Sequence, residues 1–250
     1  RNGAIATLRF NRPEALNAIN VPMANAFLTA VQSIAADPGV RAVVLRGNGR
    51  GFMAGGDLAT LRADPVQGAI DILTPLNAAL QLLAQMNAPV IAQVHGAAAG
   101  AGLSLVLMAD YVIAAEGTRF NLAYINLGTS CDVGASWALP RIVGVRQALE
   151  IALLGEAFTA DDALRLGLVN RIVPAAELDS ATAALAQRLA AGPTLAYGAM
   201  KRLMRASMDH TLPEQLAAEK DAFVHCAGTE DFRAGVEAFH QRQSPQFVGR

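Results

Sequence analysis

The pattern of apolar positions divides the chain into two parts. In the first part, short apolar runs alternate with longer stretches in which apolar residues recur at helical spacing. Four runs have the length and the β-branched content of buried strands: residues 4–8, 42–45, 90–94 and 111–114. Three stretches between or after these runs have helical spacing: residues 21–36, 71–86 and 101–108. Strands that alternate with helices predict an α/β core.

The pattern changes after Pro174, beyond which the chain is almost wholly helical in character. Gly192-Pro193 separates two predicted helices and Pro213 separates two more, because proline interrupts a helix. We therefore predict a core over residues 1–192 and a helical C-terminal region over residues 193–250. In the first part, the Ala-Asp-Pro-Val-Gln-Gly sequence indicates a flexible loop within residues 61–70.

Composition narrows the classes of partner. The chain is 53% hydrophobic and only 16% charged, with a formal net charge of −1. A large core and broad subunit contacts account for this apolar excess, whereas no apolar run reaches the roughly 18 to 20 residues of a membrane span. No long basic run favours a nucleic-acid partner. Cys131 and Cys226 form neither a disulfide framework nor a metal spacing, so we expect a reducing cytoplasm and no metal site.

Two glycine-rich segments carry the strongest chemical signal. Residues 49–58 read GRGFMAGGDL and residues 95–110 read HGAAAGAGLSLVLMAD, and each follows a predicted strand. Glycine at this density costs conformational entropy, which close approach of backbone to a ligand would justify. Two such turns could direct two backbone N–H groups at one oxygen, as in an oxyanion hole. The alternative is that the glycines only permit tight strand-to-helix turns.

Three further segments extend the pattern along the chain: NRPEALNAI at residues 11–19, GEAFTADDALRLGLVNRIV at 155–173 and DFRAGVEAFHQRQSPQF at 231–247. In this order, the five segments resemble the crotonase superfamily of enoyl-CoA hydratases and isomerases over nearly the whole chain. The resemblance implies a spiral of β-β-α turns followed by a helical region that supports a homotrimer or hexamer. It also implies an acyl-CoA thioester substrate and no separate cofactor, because coenzyme A is part of the substrate.

The resemblance assigns the two oxyanion donors to particular positions. They are the N–H groups of Gly56, which precedes Asp57, and of Ala101, in the middle of Gly100-Ala101-Gly102. The second donor would lie at a helix N-terminus, where free N–H groups favour an anion. We expect Asp57 to cap neighbouring backbone and Phe52 to pack in the core.

Both glutamates that position water in the hydratases of this superfamily are absent. Ser104 and Tyr124 occupy their places, and neither has a pKa near neutrality without large perturbation. Asp132 instead stands where several other members have a working aspartate, among them proteins similar to the ring-epoxide isomerase of phenylacetate breakdown and to 4-chlorobenzoyl-CoA dehalogenases. In an apolar pocket its pKa would be raised, which suits it to remove and return a proton. The alternative is that Asp132 caps a helix that starts near Val133.

The resemblance also implies where the substrate binds. The expected substrate-binding residues are Ala15, Leu16, Ala18, Ala54, Ser104, Tyr124, Phe239 and Arg242, the last two reaching a neighbouring subunit. His95 ends a buried strand, and we expect it to be structural. The favoured function is an isomerase that uses Asp132 as acid and base. The alternatives are a hydratase, an acyl-CoA hydrolase or dehalogenase, and a non-catalytic protein that binds CoA esters.

Overall fold

Two sheets form the centre of the molecule, and the computed structural model describes all 250 residues. The larger sheet has five parallel strands, in the spatial order β1 (Ile5–Phe10), β2 (Ala42–Gly47), β3 (Val90–Val94), β5 (Tyr111–Ala115) and β8 (Arg171–Val173). The smaller sheet has the order β4 (Ala97–Ala99), β6 (Arg119–Asn121) and β7 (Phe158–Thr159). Because β3 leads directly into β4, and β5 into β6, successive turns of the chain give one strand to each sheet.

The molecule has eleven α-helices. The first seven are α1 (Val21–Ala35), α2 (Leu58–Ala63), α3 (Pro65–Gln85), α4 (Ala101–Met108), α5 (Ala135–Val143), α6 (Val145–Leu154) and α7 (Ala160–Arg165). The C-terminal four are α8 (Leu178–Ala190), α9 (Thr194–Ala206), α10 (Leu212–Ala227) and α11 (Glu230–Gln241). The four predicted strands and the predicted helices are confirmed to within a few residues, except at the start of α3. None of the helices combines the length and apolar character needed to cross a membrane.

The flexible loop predicted within residues 61–70 is wrong. Helix α2 ends at Ala63, and α3 starts at Pro65 after a single residue. Proline is well suited to the first position of a helix, where its missing N–H would have no partner. The carboxylate of Asp64 caps α3 by accepting a hydrogen bond from Gln67 N at 3.0 Å. The sequence that resembled a loop is therefore a junction between two helices.

Helices cover both faces of the larger sheet, and successive side chains of its strands point alternately to one face and the other. Val43 and Leu45 of β2 join the main core, which contains α1 and α3, whereas Val44 packs against α8. Helix α4 runs through the centre of the molecule, and Ala101 to Leu107 are all buried. Phe52 is fully buried, as predicted. The strand ends that carry the glycine-rich turns are thus held inside a rigid core.

Helix α9 is attached to this core through Asp110. Lys201 Nζ and Arg205 Nη2 lie 2.7 and 2.8 Å from the two carboxylate oxygens of Asp110, which follows α4. Helix α8 packs on the sheet, and Gly192-Pro193 leads from α8 into α9. The division of the chain at residue 192 stays a prediction.

Candidate active site

The two glycine-rich turns are packed directly against each other. Gly55 has φ +103° and Gly100 has φ +51°, backbone conformations that favour glycine. A Cβ atom built on Gly55 would lie 3.3 Å from Ala99 O and 3.8 Å from Ala101 N. The positive φ angle therefore favours glycine at both positions, and at Gly55 the close approach of the two backbones adds a second reason.

Both predicted oxyanion donors keep a free backbone N–H. Ala101 is the first residue of α4, so its N–H has no partner within the helix. Around Gly56, Ile19 N donates to Gly55 O and Asp57 N donates to Ile19 O, each at 2.8 Å, and Gly56 N itself makes no backbone bond. Ala101 has no positive φ, which explains why alanine is accepted at this position. Both residues line the same cavity.

This cavity has a volume of about 760 Å³ and two walls of different character. Helices α2 and α3 provide most of the apolar wall: Leu58, Leu61, Pro65, Ala69, Ile72, Leu73 and Leu76. The segment after β6 provides most polar side chains: Tyr124, Asn126, Thr129, Ser130, Cys131 and Asp132. Asp132 is the only carboxylate and Arg62 the only cationic side chain among the 22 lining residues. The cavity thus places one acid/base group beside two free N–H groups and an apolar surface.

Asp132 is held by Tyr124. The Tyr124 hydroxyl donates a hydrogen bond to Asp132 Oδ1, and Ser104 Oγ lies 2.9 Å from the Tyr124 hydroxyl oxygen. Burial raises the pKa of Asp132, and the bond from Tyr124 opposes that rise. Burial, followed by the nearby Asp132 charge, raises the pKa of Tyr124 well above its usual range. Tyr124 therefore stays protonated and acts as a hydrogen-bond donor.

The alternative role of Asp132 as a helix cap is wrong. Helix α5 begins at Ala135, two residues later than that interpretation requires, and no side chain caps it. Val133 and Gly134 have φ values of +53° and +80°, so the chain is not yet helical there. The carboxylate of Asp132 binds the Tyr124 hydroxyl instead.

Comparison with known proteins identifies the family of this chain. The family model described as enoyl-CoA hydratase/isomerase matches residues 1–250. The chain belongs to the enoyl-CoA hydratase/isomerase family. It is 37% identical over 250 residues to the 1,2-epoxyphenylacetyl-CoA isomerase of Escherichia coli K12, covering 98% of this chain and 95% of the relative. It is 36% identical over 251 residues to the 2,3-dehydroadipyl-CoA hydratase of the same organism, covering 100% and 97%.

A solved structure shows the fold of this family. The crystal structure of an enoyl-CoA hydratase from Polaromonas sp. JS666 matches with a TM-score of 0.93 at 34% identity, covering 99% of this chain and 98% of that one. The predicted crotonase-like α/β fold is therefore confirmed. Because the relatives carry the names of both a hydratase and an isomerase, family membership alone does not select the reaction.

Four of the predicted substrate-binding residues lie in the first glycine turn or in the segment that contacts it. Leu16 O accepts a hydrogen bond from Ala54 N at 3.0 Å, and Ala18 O accepts one from the Arg12 guanidinium at 2.7 Å. Ala54 lines the cavity. Ala15, Leu16 and Ala18 do not line the cavity. Their contact with the coenzyme stays a prediction.

Asp57 has the capping role that the sequence predicted. Its carboxylate accepts a hydrogen bond from Ala59 N at 2.9 Å, at the start of α2. Arg12 donates to the same side chain at 2.8 Å and, as the largest cause, lowers the pKa of Asp57. The residue that follows the proposed donor Gly56 is thus fixed from both sides.

Three further predicted contact residues also lie off the cavity wall. Phe239 and Arg242 belong to α11 and its end, and Phe239 is 82% exposed. Their contact with substrate through a neighbouring subunit stays a prediction. Ser104 is fully buried behind Tyr124 and does not line the cavity. His95 Nε2 lies 2.9 Å from Gly49 O, which fits a structural histidine.

Asn17 supports the site but was not identified from the sequence. Its side chain is fully buried and its φ is +58°. Its Nδ2 group donates to the carbonyl oxygens of Asn48, Gly51 and Phe52 at 2.8, 2.9 and 3.2 Å. These bonds hold the segment around Leu16 against the first glycine turn. The available signal was the asparagine itself, because asparagine adopts left-handed backbone more readily than most residues.

Proposed function

We propose that the protein is an isomerase that moves a proton within an acyl-CoA thioester. The N–H groups of Gly56 and Ala101 hold the thioester oxygen, which becomes negatively charged as an enolate forms. Asp132 removes a proton from the substrate and returns it at another position, which shifts a double bond or relieves a ring. The observation that carries this proposal is that Asp132 is the only carboxylate in the cavity that contains both free N–H groups.

The two hydroxyl side chains favour proton transfer over hydration. Ser104 and Tyr124 stand where the hydratases of this family have the glutamates that position water. Ser104 is fully buried, and the pKa of Tyr124 is raised by burial, so neither side chain is a base near neutral pH. A single carboxylate is sufficient to remove a proton and return it.

A second candidate keeps the site and changes the reaction. Asp132 could act on water, giving a hydratase, or on the acyl group, giving hydrolase or dehalogenase chemistry. The 36% identity to a 2,3-dehydroadipyl-CoA hydratase supports keeping this candidate. Incorporation of ¹⁸O from labelled water into the product distinguishes it, because isomerisation incorporates none.

The first experiment follows double-bond migration and deuterium exchange of a 3-enoyl-CoA in D₂O. We expect the wild type to show both reactions. In Asp132→Asn, the rates of both should fall by about 10²- to 10⁴-fold, the usual contribution of a general acid/base. Asp221→Asn is the matched control, because the Asp221 side chain is 77% exposed on α10. We expect wild-type rates in this control.

Two outcomes would reject parts of the proposal. Migration that survives Asp132→Asn would remove Asp132 from the acid/base role. A wild type that binds CoA esters but neither migrates nor exchanges would favour the second candidate or a non-catalytic CoA-ester-binding protein. A test panel of several acyl-CoA thioesters then separates these two.

A further inference from the structure

Ser104 and Tyr124, which the resemblance places at the glutamate positions of the hydratases, form a hydrogen-bonded series with Asp132. Ser104 Oγ lies 3.2 Å from Gly100 O and 2.9 Å from the Tyr124 hydroxyl oxygen. The Tyr124 hydroxyl in turn contacts Asp132 Oδ1. Ser104 is fully buried and Tyr124 is 9% exposed, so water competes little for these bonds.

The number of available protons determines which group donates in each hydrogen bond of this series. Tyr124 has one hydroxyl proton, and the carboxylate of Asp132 can only accept. The Tyr124 proton is therefore donated to Asp132. The single proton of Ser104 is shared between the Tyr124 oxygen and Gly100 O, which can only accept. Since Ser104 is on α4 and Tyr124 follows β6, the series connects Asp132 to two rigid parts of the core.

We propose that Tyr124, supported by Ser104, is a positioning residue for Asp132. Its O–H group fixes Oδ1 and so leaves Oδ2, which has no hydrogen-bond partner in the protein, as the oxygen that exchanges a proton with substrate. In this arrangement Tyr124 does not react itself. The inference rests on the proposed function, because it concerns how the proposed base is held.

The groups around Asp132 determine how its pKa should change when the hydrogen bond from Tyr124 is lost. The other ionisable side chains that line the cavity are Arg62 on α2 and Cys131 beside Asp132. Burial is the main cause that raises the pKa of Asp132, and the Tyr124 bond is the cause that lowers it. Without the hydroxyl, that pKa rises further. Because the base must be ionised, kcat/KM then begins to fall at a higher pH as the solution is acidified.

The test is the pH profile of kcat/KM for Tyr124→Phe, which keeps the ring and removes the hydroxyl. We expect the acidic limb to move up by roughly one pH unit, the size of effect typical of a hydrogen bond to a charged group. Ser104→Ala should move it in the same direction by less. Tyr111→Phe, on β5 and outside the cavity, is the matched control and should leave the profile unchanged.

A measurement of the pKa of Asp132 that needs no catalytic turnover tests this inference independently of the proposed function. The carboxyl ¹³C resonance of Asp132, assigned by its loss in Asp132→Asn, reports the pKa of Asp132 directly. A higher pKa in Tyr124→Phe supports the positioning role even if the wild type isomerises nothing. An unchanged pKa overturns it even if isomerisation is confirmed. If Tyr124→Phe does not fold, the same measurement on Ser104→Ala decides, and no increase there refutes the inference.

Discussion

Gly102 lies where α4 passes the carbonyl group of Met53. A Cβ atom at this position would be 2.3 Å from Met53 O and 2.9 Å from Met53 Cβ. Met53 is fully buried and pairs with Ala98 in a β-bridge, so the first glycine turn has little freedom to move away. The contact between the two turns, and hence the spacing of the two free N–H groups, depends on a missing methyl group.

We therefore expect Gly102→Ala to lower the free energy of unfolding by about 1–3 kcal/mol, as overpacking of a core does. It should also lower kcat, because the two turns are forced apart. Thermal and denaturant unfolding measure the first effect. Gly56→Ala is the control, since its added Cβ would meet only Leu61 Cδ1 at 3.8 Å and its backbone N–H is kept. Equal unfolding free energies for the two variants would contradict this packing argument.

At the scale of single residues, the sequence predicted the site better than the contacts within it. Gly56, Ala101 and Asp132 were identified from spacing and resemblance, and the structure brings all three to one cavity. The bond from Tyr124 to Asp132 was not predicted. It depends on left-handed backbone at Ala123 and Val133, with φ of +58° and +53°. These conformations are unusual for such residues, and no local pattern indicates them.

Among the elements, α9 is the helix whose attachment depends most on charge. Asp110 accepts hydrogen bonds from Lys201 Nζ, Arg205 Nη2 and Val90 N at 2.7 to 2.8 Å, and its side chain is 15% exposed. Lys201 also donates to Leu83 O at the end of α3. Burial lowers the pKa of Lys201, and the Asp110 carboxylate opposes that change. This ion pair joins the C-terminal region to the core.

Asp110→Asn should destabilise the protein by about 3 kcal/mol, because it leaves Lys201 buried without a counter-ion. Asp209→Asn, which removes the exposed partner of Arg141, should cost no more than about 1 kcal/mol. Chemical denaturation of both variants measures the difference. If Asp110→Asn lowers the free energy of unfolding no more than Asp209→Asn does, α9 is held by apolar packing alone.

At the scale of elements, periodicity predicted four strands of the larger sheet, the helices α1, α3 and α4 and the helical C-terminal region. It did not predict β8, α2, α5 to α7 or the smaller sheet. The junction at Asp64-Pro65 has a composition typical of loops, yet proline and a capping aspartate also start helices. The smaller sheet was missed because β4 consists of three alanines and β7 has only two residues. Strands β4 and β6 each begin within four residues of the end of a strand of the larger sheet, so that sheet fixes where they start.

For the whole molecule, we propose a homotrimer or a hexamer of two trimers. Met200, Met204 and Met208 are spaced four residues apart on one side of α9 and beyond its end, and they are 55 to 66% exposed. Phe239 is also exposed on α11. An apolar surface of this kind is typical of an interface between subunits. It would also allow Phe239 and Arg242 to reach the cavity of a neighbouring chain.

Light scattering should therefore give a mass three or six times that of the 26.1-kDa chain. We expect Met204→Glu to lower this mass and to weaken binding of CoA esters, because a charge would then be buried at the interface. Lys220→Glu, on an exposed part of α10, should change neither property. A wild type that remains a monomer at micromolar concentration would remove the neighbouring-subunit role of Phe239 and Arg242.

The presence of one carboxylate on one wall of the cavity has a stereochemical consequence. A thioester enolate is planar, and a single base approaches it from one side only. With Asp132 as the proposed base, the proton leaves and returns on the same face, so the double-bond shift is suprafacial. Of the two prochiral hydrogens on the reacting carbon, the enzyme would then remove only the one that points toward the polar wall.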